Sequence, residues 1–263
     1  MRAARALLRL QLVQLRSAMA YRADFWIGVV GAVLQQVVSI TFLVTFFGHV
    51  DQLGGWTIGE VAILHGIVMV AAGLGELIGD GVWRLRANVS DGSFDRLLVR
   101  PVSPAVQQMG ELSSIHGTGN AGLGIAVMAW GLTHSQIEWQ WWTIPVLALA
   151  CVCGFVNNTA LNFLSNMTAF WEPATQSAFP TMVALVRDFA KFPLDIYPQV
   201  LRVVVTFVLP YAAITFLPTS VVLGKAGAHG WWALTPVLAA GATAAVAAAV
   251  WRVGLTKYQG AGH

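Results

Sequence analysis

Long apolar stretches alternate with short polar stretches along most of the chain. A transmembrane helix needs about 20 consecutive apolar residues, because the hydrocarbon core of a bilayer is about 30 Å thick. Runs of this order that contain few or no charged residues recur from residue 25 onward. The pattern predicts an all-α polytopic membrane protein with five clear spans, near residues 25–47, 61–83, 112–133, 143–170 and 231–252.

The composition agrees with a location in lipid. Of the 263 residues, 57% are hydrophobic and only 10% are charged. A soluble domain of this size cannot bury so many apolar side chains in one core, so the remainder must face lipid. Cys151 and Cys153 lie two residues apart in a predicted span and point to different sides of its helix, which argues against a disulfide or a metal clip. The six histidines show no metal-binding spacing, so no metal site is predicted.

Basic residues flank the apolar runs unevenly. They cluster before residue 25, between residues 84 and 100 and near the C-terminus, whereas the loops 48–60 and 133–142 contain none. Because short cytoplasmic loops are enriched in Lys and Arg, both termini are predicted to be cytoplasmic. The net charge of +3 is not gathered on a soluble face, so the basic residues indicate contact with membrane lipid and not with nucleic acid.

The first residues have a different pattern from the spans. Residues 1–22 place arginines on one helical stripe and leucines on another. This periodicity predicts an amphipathic helix that lies in the inner membrane interface. The remainder, residues 23–263, is interpreted as a single transmembrane domain.

The region between Trp171 and Lys225 has two interpretations. Two partly apolar pieces, residues 174–186 and 203–223, flank a segment that contains charged residues and prolines. If both pieces crossed the membrane, the C-terminus would lie outside, against its basic residues, so only one of them crosses. Hydropathy favours the second piece. The alternative is that the first piece crosses and the second dips back from the outer face, where protein must cover its irregular backbone.

The polar loop over residues 84–104 contains a short predicted helix, Phe94 to Arg100. Gly92 breaks the preceding helix, Ser93 can cap the next one, and Pro101 stops it. Three apolar residues share one face, and charged residues take the other: Phe94, Leu97 and Leu98 against Asp95, Arg96 and Arg100. Two turns of helix are not stable alone in water, so this helix is expected to dock onto another surface.

Two runs of residues resemble a known family. The run VWRLRANVSDGSFDRLLVRPVSP, after the second span, resembles the cytoplasmic loop of the ABC-2 type permeases. The run FPLDIYPQVLRVVVTFVLP, in the second half of the chain, resembles a second and less specific pattern of the same family.

The resemblance implies six transmembrane helices, with the fifth span over residues 174–190 and re-entrant outer helices over residues 192–223. It identifies the loop 84–104 as the carrier of a coupling helix that contacts a separate ATPase. The contacting residues would be Phe94, Asp95, Arg96, Leu97, Leu98 and Arg100.

The same resemblance implies partners. Two ATPase domains on other chains would bind ATP and Mg, and a second permease subunit would be a different homologous chain or else a second copy of this one. The implied location is the bacterial plasma (inner) membrane.

The chain lacks the residues that bind a nucleotide phosphate. A phosphate-binding loop requires the pattern G-x-x-x-x-G-K-[ST]. The single Gly-Lys pair, Gly224 and Lys225, has Thr219 in place of the first glycine and Ala226 in place of the hydroxyl residue. The chain is therefore not predicted to be an enzyme and is expected to bind no cofactor.

Polar residues within the spans are candidates for function, because each is costly in hydrocarbon. Glu76, Asp80 and Arg84 follow at intervals of four on the second span. Asp80 and Arg84 are predicted to form a structural ion pair, and Glu76 is a candidate for gating or for lining a cavity. Further candidates for pathway lining or for interhelical hydrogen bonds are Gln35, Asn158, Asn162 and Asn166.

Together with the family resemblance, which alone implies the direction of transport, these features predict a transmembrane permease subunit of an ATP-binding cassette exporter. One rival is a proton-coupled secondary transporter that uses Glu76 as its carrier, although the chain shows no internal inverted repeat. Another rival is a membrane enzyme or a structural scaffold. The sequence does not assign the transported substrate.

Overall fold

The computed structural model describes residues 22–114, 116–172 and 178–258. Within these residues the chain is helical, and the one β-type pairing is an isolated bridge between Leu53 and Trp56. The predicted all-α fold class is therefore confirmed. The predicted interfacial helix lies outside the described residues, apart from Arg22, and it stays a prediction.

In the described residues, the first half of the chain contains α1 (Arg22–Phe47), α2 (Ile58–Gly79), α3 (Leu85–Ser90), α4 (Asp95–Leu98), α5 (Pro104–Met109) and α6 (His116–Thr133). The 3-10 turn Asp80–Arg84 joins α2 to α3. The second half contains α7 (Thr143–Asn166), α8 (Phe179–Phe189), α9 (Gln199–Val203), α10 (Phe216–Val222) and α11 (Thr235–Lys257). α7 continues as the 3-10 turn Met167–Phe170, and α9 continues as the π-helical turn Val204–Val208.

Three helical stretches among the described residues are long and apolar enough to cross a membrane. They are Ile58–Ser90, Thr143–Phe170 and Gly230–Lys257, with 33, 28 and 28 residues. They contain the predicted second, fourth and last spans. α1 and α6 coincide in position with the predicted first and third spans, and they have 26 and 18 residues.

Glycines bring α2 and α6 into close contact. A Cβ atom added to Gly66 would lie 2.5 Å from the Cβ of Met128, and one added to Gly124 would lie 2.8 Å from the Cβ of Met69. Side chains larger than glycine therefore do not fit at these crossings. Close backbone approach of this kind is typical of helix pairs in membranes, where packing drives association. α2 consequently lies in the centre of the bundle, in contact with both α6 and α7.

The start of α2 is held by a capping box. The backbone N–H of Thr57 donates to the Glu60 carboxylate at 2.8 Å, and the Thr57 hydroxyl accepts from the backbone of Glu60. The same carboxylate forms an ion pair with Lys225 at 2.7 Å, and the Lys225 ammonium lies over the ring of Trp56. We call this the Trp56 end of the bundle, and we call the opposite end, where α2 runs into Arg84, the Arg84 end.

The segment after α8 enters the bundle and returns to the same end. Asp195 accepts a hydrogen bond from the indole N–H of Trp56 at 3.3 Å, which places it at the Trp56 end. Further along the chain, the Tyr211 hydroxyl donates to Asn158, at a position well inside α7. The chain then returns to Lys225 at the Trp56 end.

Neither alternative for the fifth span is one helix of spanning length in the described residues. α8 has 11 residues, which corresponds to a rise of about 16 Å, or half of the hydrocarbon core. Residues 203–223 are interrupted around Pro210 and form short helical pieces, Val204–Val208 before the break and Phe216–Val222 after it. Proline removes a backbone donor and favours such breaks.

Candidate functional site

The short helix α4 is anchored at the Arg84 end by an aromatic cluster. Phe94, the residue before α4, is fully buried. Its ring centroid lies 5.0 Å from that of Tyr258, 5.5 Å from that of Phe170 and 5.9 Å from that of Trp251. These edge-on contacts are a favourable geometry for aromatic rings. They attach the loop to the end of α7 and to the end of α11.

The burial of Phe94 corrects one part of the sequence-based prediction. Phe94 and Leu97 were expected to face an ATPase, but their side chains are 0% and 7% exposed and pack against the chain's own core. Leu98 and Val99 face outward instead, with 44% and 84% of their surfaces exposed. The helix is also shorter than predicted: α4 is a single turn that ends at Leu98, whereas the predicted helix ended at Arg100.

The outward face of this loop combines apolar and charged side chains. Leu98 and Val99 are flanked by Asp95, Arg96 and Arg100, all of which are exposed. The sequence pattern identified Leu98 and the charged members of this set, and it missed Val99. We call these five residues, 95, 96, 98, 99 and 100, the outward patch.

Hydrogen bonds fix the backbone before α4. Gly92 has φ of 75°, a conformation that glycine adopts more readily than other residues. The Asp91 carboxylate accepts from the backbone N–H of Ser93 at 2.8 Å. Hydrogen bonds from Ser93 hold the pKa of Asp91 below its ordinary value. The Phe94 N–H donates to the Asn88 carbonyl at 2.9 Å, so the loop closes back onto α3.

A second contact links the outward patch to the C-terminal helix. The Tyr258 hydroxyl donates to the Asp95 carboxylate at 2.9 Å. Partial burial and the nearby Asp95 carboxylate raise the pKa of Tyr258 to about 12. The hydroxyl is therefore protonated at neutral pH and can donate.

Buried amide side chains of α3 and α5 form hydrogen bonds that hold the loop in place. The Gln108 side chain donates to the Gly81 carbonyl at 2.7 Å and accepts from Asn88 at 3.1 Å. The Gln107 side chain donates to the Leu97 carbonyl at 2.9 Å. A Cβ atom at position 81 would collide with the Gln108 carbonyl oxygen, so this crossing requires glycine. Sequence reasoning missed these residues, because isolated amides in an apolar chain have no informative spacing.

Glu76 belongs to a hydrogen-bond chain that crosses three helices. Its carboxylate accepts from the Asn120 side chain at 2.6 Å, and Asn120 accepts from the Gln36 side chain at 3.0 Å. The chain therefore joins α2, α6 and α1. Sequence reasoning selected Gln35 on α1, whose side chain lies outside the description, and missed Gln36 and Asn120.

The predicted ion pair between Asp80 and Arg84 does not form. Both residues belong to the described part of the chain, and no ion pair joins them there. Asp80 instead accepts a hydrogen bond from the Ser114 hydroxyl. The reason lies in the backbone: residues 80–84 form a 3-10 turn with about three residues per turn, so positions four apart no longer share a face.

The three asparagines predicted to form a stripe on α7 differ in their hydrogen bonds. Asn158 accepts long hydrogen bonds, both 3.5 Å, from the Arg187 guanidinium and the Tyr211 hydroxyl. Asn166 donates to the Asn162 carbonyl on its own helix at 2.8 Å. The Asn162 side-chain oxygen is buried and has no hydrogen-bond partner among the described residues. Arg187, which the sequence pattern did not link to α7, therefore lies beside the centre of the bundle.

These polar groups surround a cavity of about 150 Å³ between α2, α7 and α8. Its lining includes four of the predicted residues, Glu76, Asp80, Asn158 and Asn162, together with Arg187. In the sequence, Glu76 is more than 80 positions from Asn158 and more than 100 positions from Arg187. The structure therefore brings together side chains that are far apart in the chain.

The helical fold and the three long apolar helices indicate a membrane protein. A family model described as "ABC-2 family transporter protein" matches residues 33–262. The chain belongs to this family, and the resemblance identified from the loop sequence is confirmed. No curated protein and no solved structure matches the chain.

Membership in this family makes the chain a permease component of membrane transport, and it implies association with ABC ATPase subunits. The chain itself is not the catalytic component.

Proposed function

We propose that the chain is the transmembrane permease subunit of an ATP-binding cassette exporter. Two ATPase domains on other chains bind ATP and Mg, and a second permease, either a different homologous chain or a second copy, completes the substrate path. The observation that carries this proposal is the outward patch, an exposed apolar pair with a charged rim on an anchored single-turn helix. In a globular protein, exposed apolar groups with a polar rim mark a contact surface for another protein.

The contacts that anchor the loop provide a path by which motion of the ATPase domains reaches α7 and α11. Phe94 contacts Phe170 at the end of α7, and it contacts Trp251 and Tyr258 at the end of α11. When ATP binding closes the ATPase domains, the outward patch moves with them. Because the aromatic cluster is closely packed, it transmits this displacement to α7 and α11 as rigid elements.

The proposed topology has six spans with both termini in the cytoplasm of a bacterial cell. The Arg84 end is then cytoplasmic, and residues 192–223 are re-entrant at the outer face. The contacts of Asp195 and Lys225 at the Trp56 end, with Tyr211 deep between them, support this topology. α8 is then the described part of the fifth span.

The rival function, a proton-coupled transporter that uses Glu76, has no support from the family match. The Glu76 carboxylate is also engaged in the hydrogen-bond chain to α6 and α1. We therefore favour the ATP-driven function.

The test of the proposed function is co-purification of the ATPase with permease variants. Leu98→Asp and Val99→Asp place a carboxylate on the apolar centre of the outward patch, where desolvation opposes contact. Both variants are expected to lose the ATPase and to retain normal insertion into the membrane. Val50→Asp is the matched control, because Val50 is also an exposed valine, 39% exposed, and lies at the opposite end of the bundle. Equal recovery of the ATPase with all three variants would show that the outward patch is not the contact.

A further inference from the structure

The cavity between α2, α7 and α8 contains charges of both signs. Glu76 lines it from α2 and Asp80 from the adjoining turn, whereas Arg187 lines it from α8. In the described part of the chain, Arg187 forms no ion pair with either carboxylate. A charge within the hydrocarbon region is costly unless a partner compensates it. Because these charges lie on different walls of the cavity and do not pair, we expect a polar molecule in the cavity to compensate them.

Unpartnered polar atoms line the same cavity. Thr159 and Asn162 are each only 6% exposed. The Thr159 hydroxyl oxygen, the Asn162 side-chain oxygen and the Arg187 Nε have no hydrogen-bond partner among the described residues. Buried polar atoms are nearly always hydrogen-bonded in folded proteins. Three such atoms on one small cavity are available for hydrogen bonds to a molecule bound there.

The size of the cavity limits that molecule. A cavity of about 150 Å³ accommodates a molecule about as large as benzene, with about six non-hydrogen atoms. Alanine, as a free amino acid, has this size.

The lining determines the chemistry of the occupant. The carboxylates of Glu76 and Asp80 and the ring of Trp83 line the cavity, and such groups attract an ammonium group. The guanidinium of Arg187 suits a carboxylate or phosphate, and the Thr159 hydroxyl can donate to it. A molecule with only one charge would leave one wall of the cavity uncompensated.

We propose that this cavity binds a small zwitterion, with its ammonium group at Glu76 and Asp80 and its anionic group at Arg187. The same pair of charges is available from a free α-amino acid, which fits the cavity whole, and from the headgroup of phosphatidylethanolamine, which exceeds that size and would enter only in part. The site lies within one protomer, so binding requires neither the ATPase nor the second permease. A failure of this proposal therefore leaves the proposed coupling function intact, and the reverse also holds.

The test uses the purified full-length permease in nanodiscs of phosphatidylglycerol, which lacks an ammonium group. Isothermal titration with alanine, ethylamine and propionate compares the zwitterion with its two singly charged analogues. Saturable binding of alanine is expected, with at least tenfold weaker binding of both analogues. Equal affinity for the three compounds, or no saturable binding of alanine together with no retained phosphatidylethanolamine, would overturn the proposal.

Variants locate the site and identify the natural source of the zwitterion. Glu76→Gln and Arg187→Gln are each expected to weaken alanine binding at least tenfold, whereas Glu138→Gln and Arg252→Gln, at exposed positions elsewhere, leave it unchanged. Thr159→Val preserves the shape of the side chain and removes the hydroxyl, so it is expected to weaken alanine binding. In mixed nanodiscs, native mass spectrometry that finds phosphatidylethanolamine retained by the wild type, displaced by alanine and lost from both charge variants assigns the headgroup as the source. Unchanged binding in both charge variants would refute the site.

Discussion

Replacing Phe94 by alanine removes the residue that attaches the outward patch to the helix bundle. Phe94 is 0% exposed and contacts three aromatic rings. Burial of this kind makes a Phe-to-Ala change cost about 3–5 kcal/mol. The single turn of α4 has no stability of its own to offset this loss. We expect the docked state of the loop to be destabilised by most of that amount, which corresponds to a change of about a hundredfold or more in its equilibrium.

Hydrogen exchange measures this loss directly. The N–H groups of Phe94 and Leu97 donate to backbone carbonyls within the docked loop, at 2.9 Å each. In Phe94→Ala, their exchange is expected to accelerate about a hundredfold, whereas amides in the middle of α2 keep their protection. The ATPase is then expected to bind more weakly, because the outward patch is no longer preorganised.

A matched control distinguishes anchoring from the loss of apolar surface. Phe207 is 77% exposed, so Phe207→Ala removes the same atoms without opening a packed cluster. It is expected to leave exchange in the loop unchanged, and Phe94→Leu is expected to restore part of the protection. If Phe94→Ala exchanged at the wild-type rate, the aromatic cluster would not be what holds the loop.

Three further changes test the support of the same loop. Gly81→Ala places a Cβ atom against the Gln108 carbonyl and is expected to lower the thermal midpoint of the purified permease, whereas Gly119→Ala, which faces open space, leaves it unchanged. Tyr258→Phe removes one hydrogen bond, worth about 1 kcal/mol, and should raise exchange at Asp95 without unfolding the bundle; unaltered exchange there would exclude a role for this bond. The pKa of Asp91 is lowered in the folded loop, so its contribution to stability is present above the unfolded pKa and is lost as pH falls through the folded value. The protection of the loop amides in the wild type, taken relative to their intrinsic exchange rates, should therefore decrease below about pH 4, and Asp91→Asn should abolish this decrease.

The position of the short helix in the loop 84–104 could be predicted from local sequence, but its orientation could not. Gly92, Ser93 and Pro101 define where a short helix begins and ends, and these are local effects. Which side chains face outward depends on the rings at positions 170, 251 and 258, which are distant in sequence. For this reason the burial of Phe94 and the exposure of Val99 were not predicted from the sequence.

The lining of the candidate cavity could also be predicted only in part from the sequence. Glu76, Asp80 and the asparagines of α7 could be selected from sequence, because polar residues in apolar runs are conspicuous. Their partners could not, since Asn120 and Arg187 come from helices whose packing is set by glycine crossings and proline breaks. The ion pair expected between Asp80 and Arg84 failed because one local 3-10 turn changes the helical period.

The amino-acid sequence by itself determined the class of this protein, the sites of its long apolar helices and its family. These properties depend on hydrophobicity and on residue order, which act over one helix at a time. Only the tertiary structure decided which residues the Arg84 end exposes and which charges share a cavity. Those outcomes depend on contacts between helices far apart in the chain, and no local period encodes such contacts.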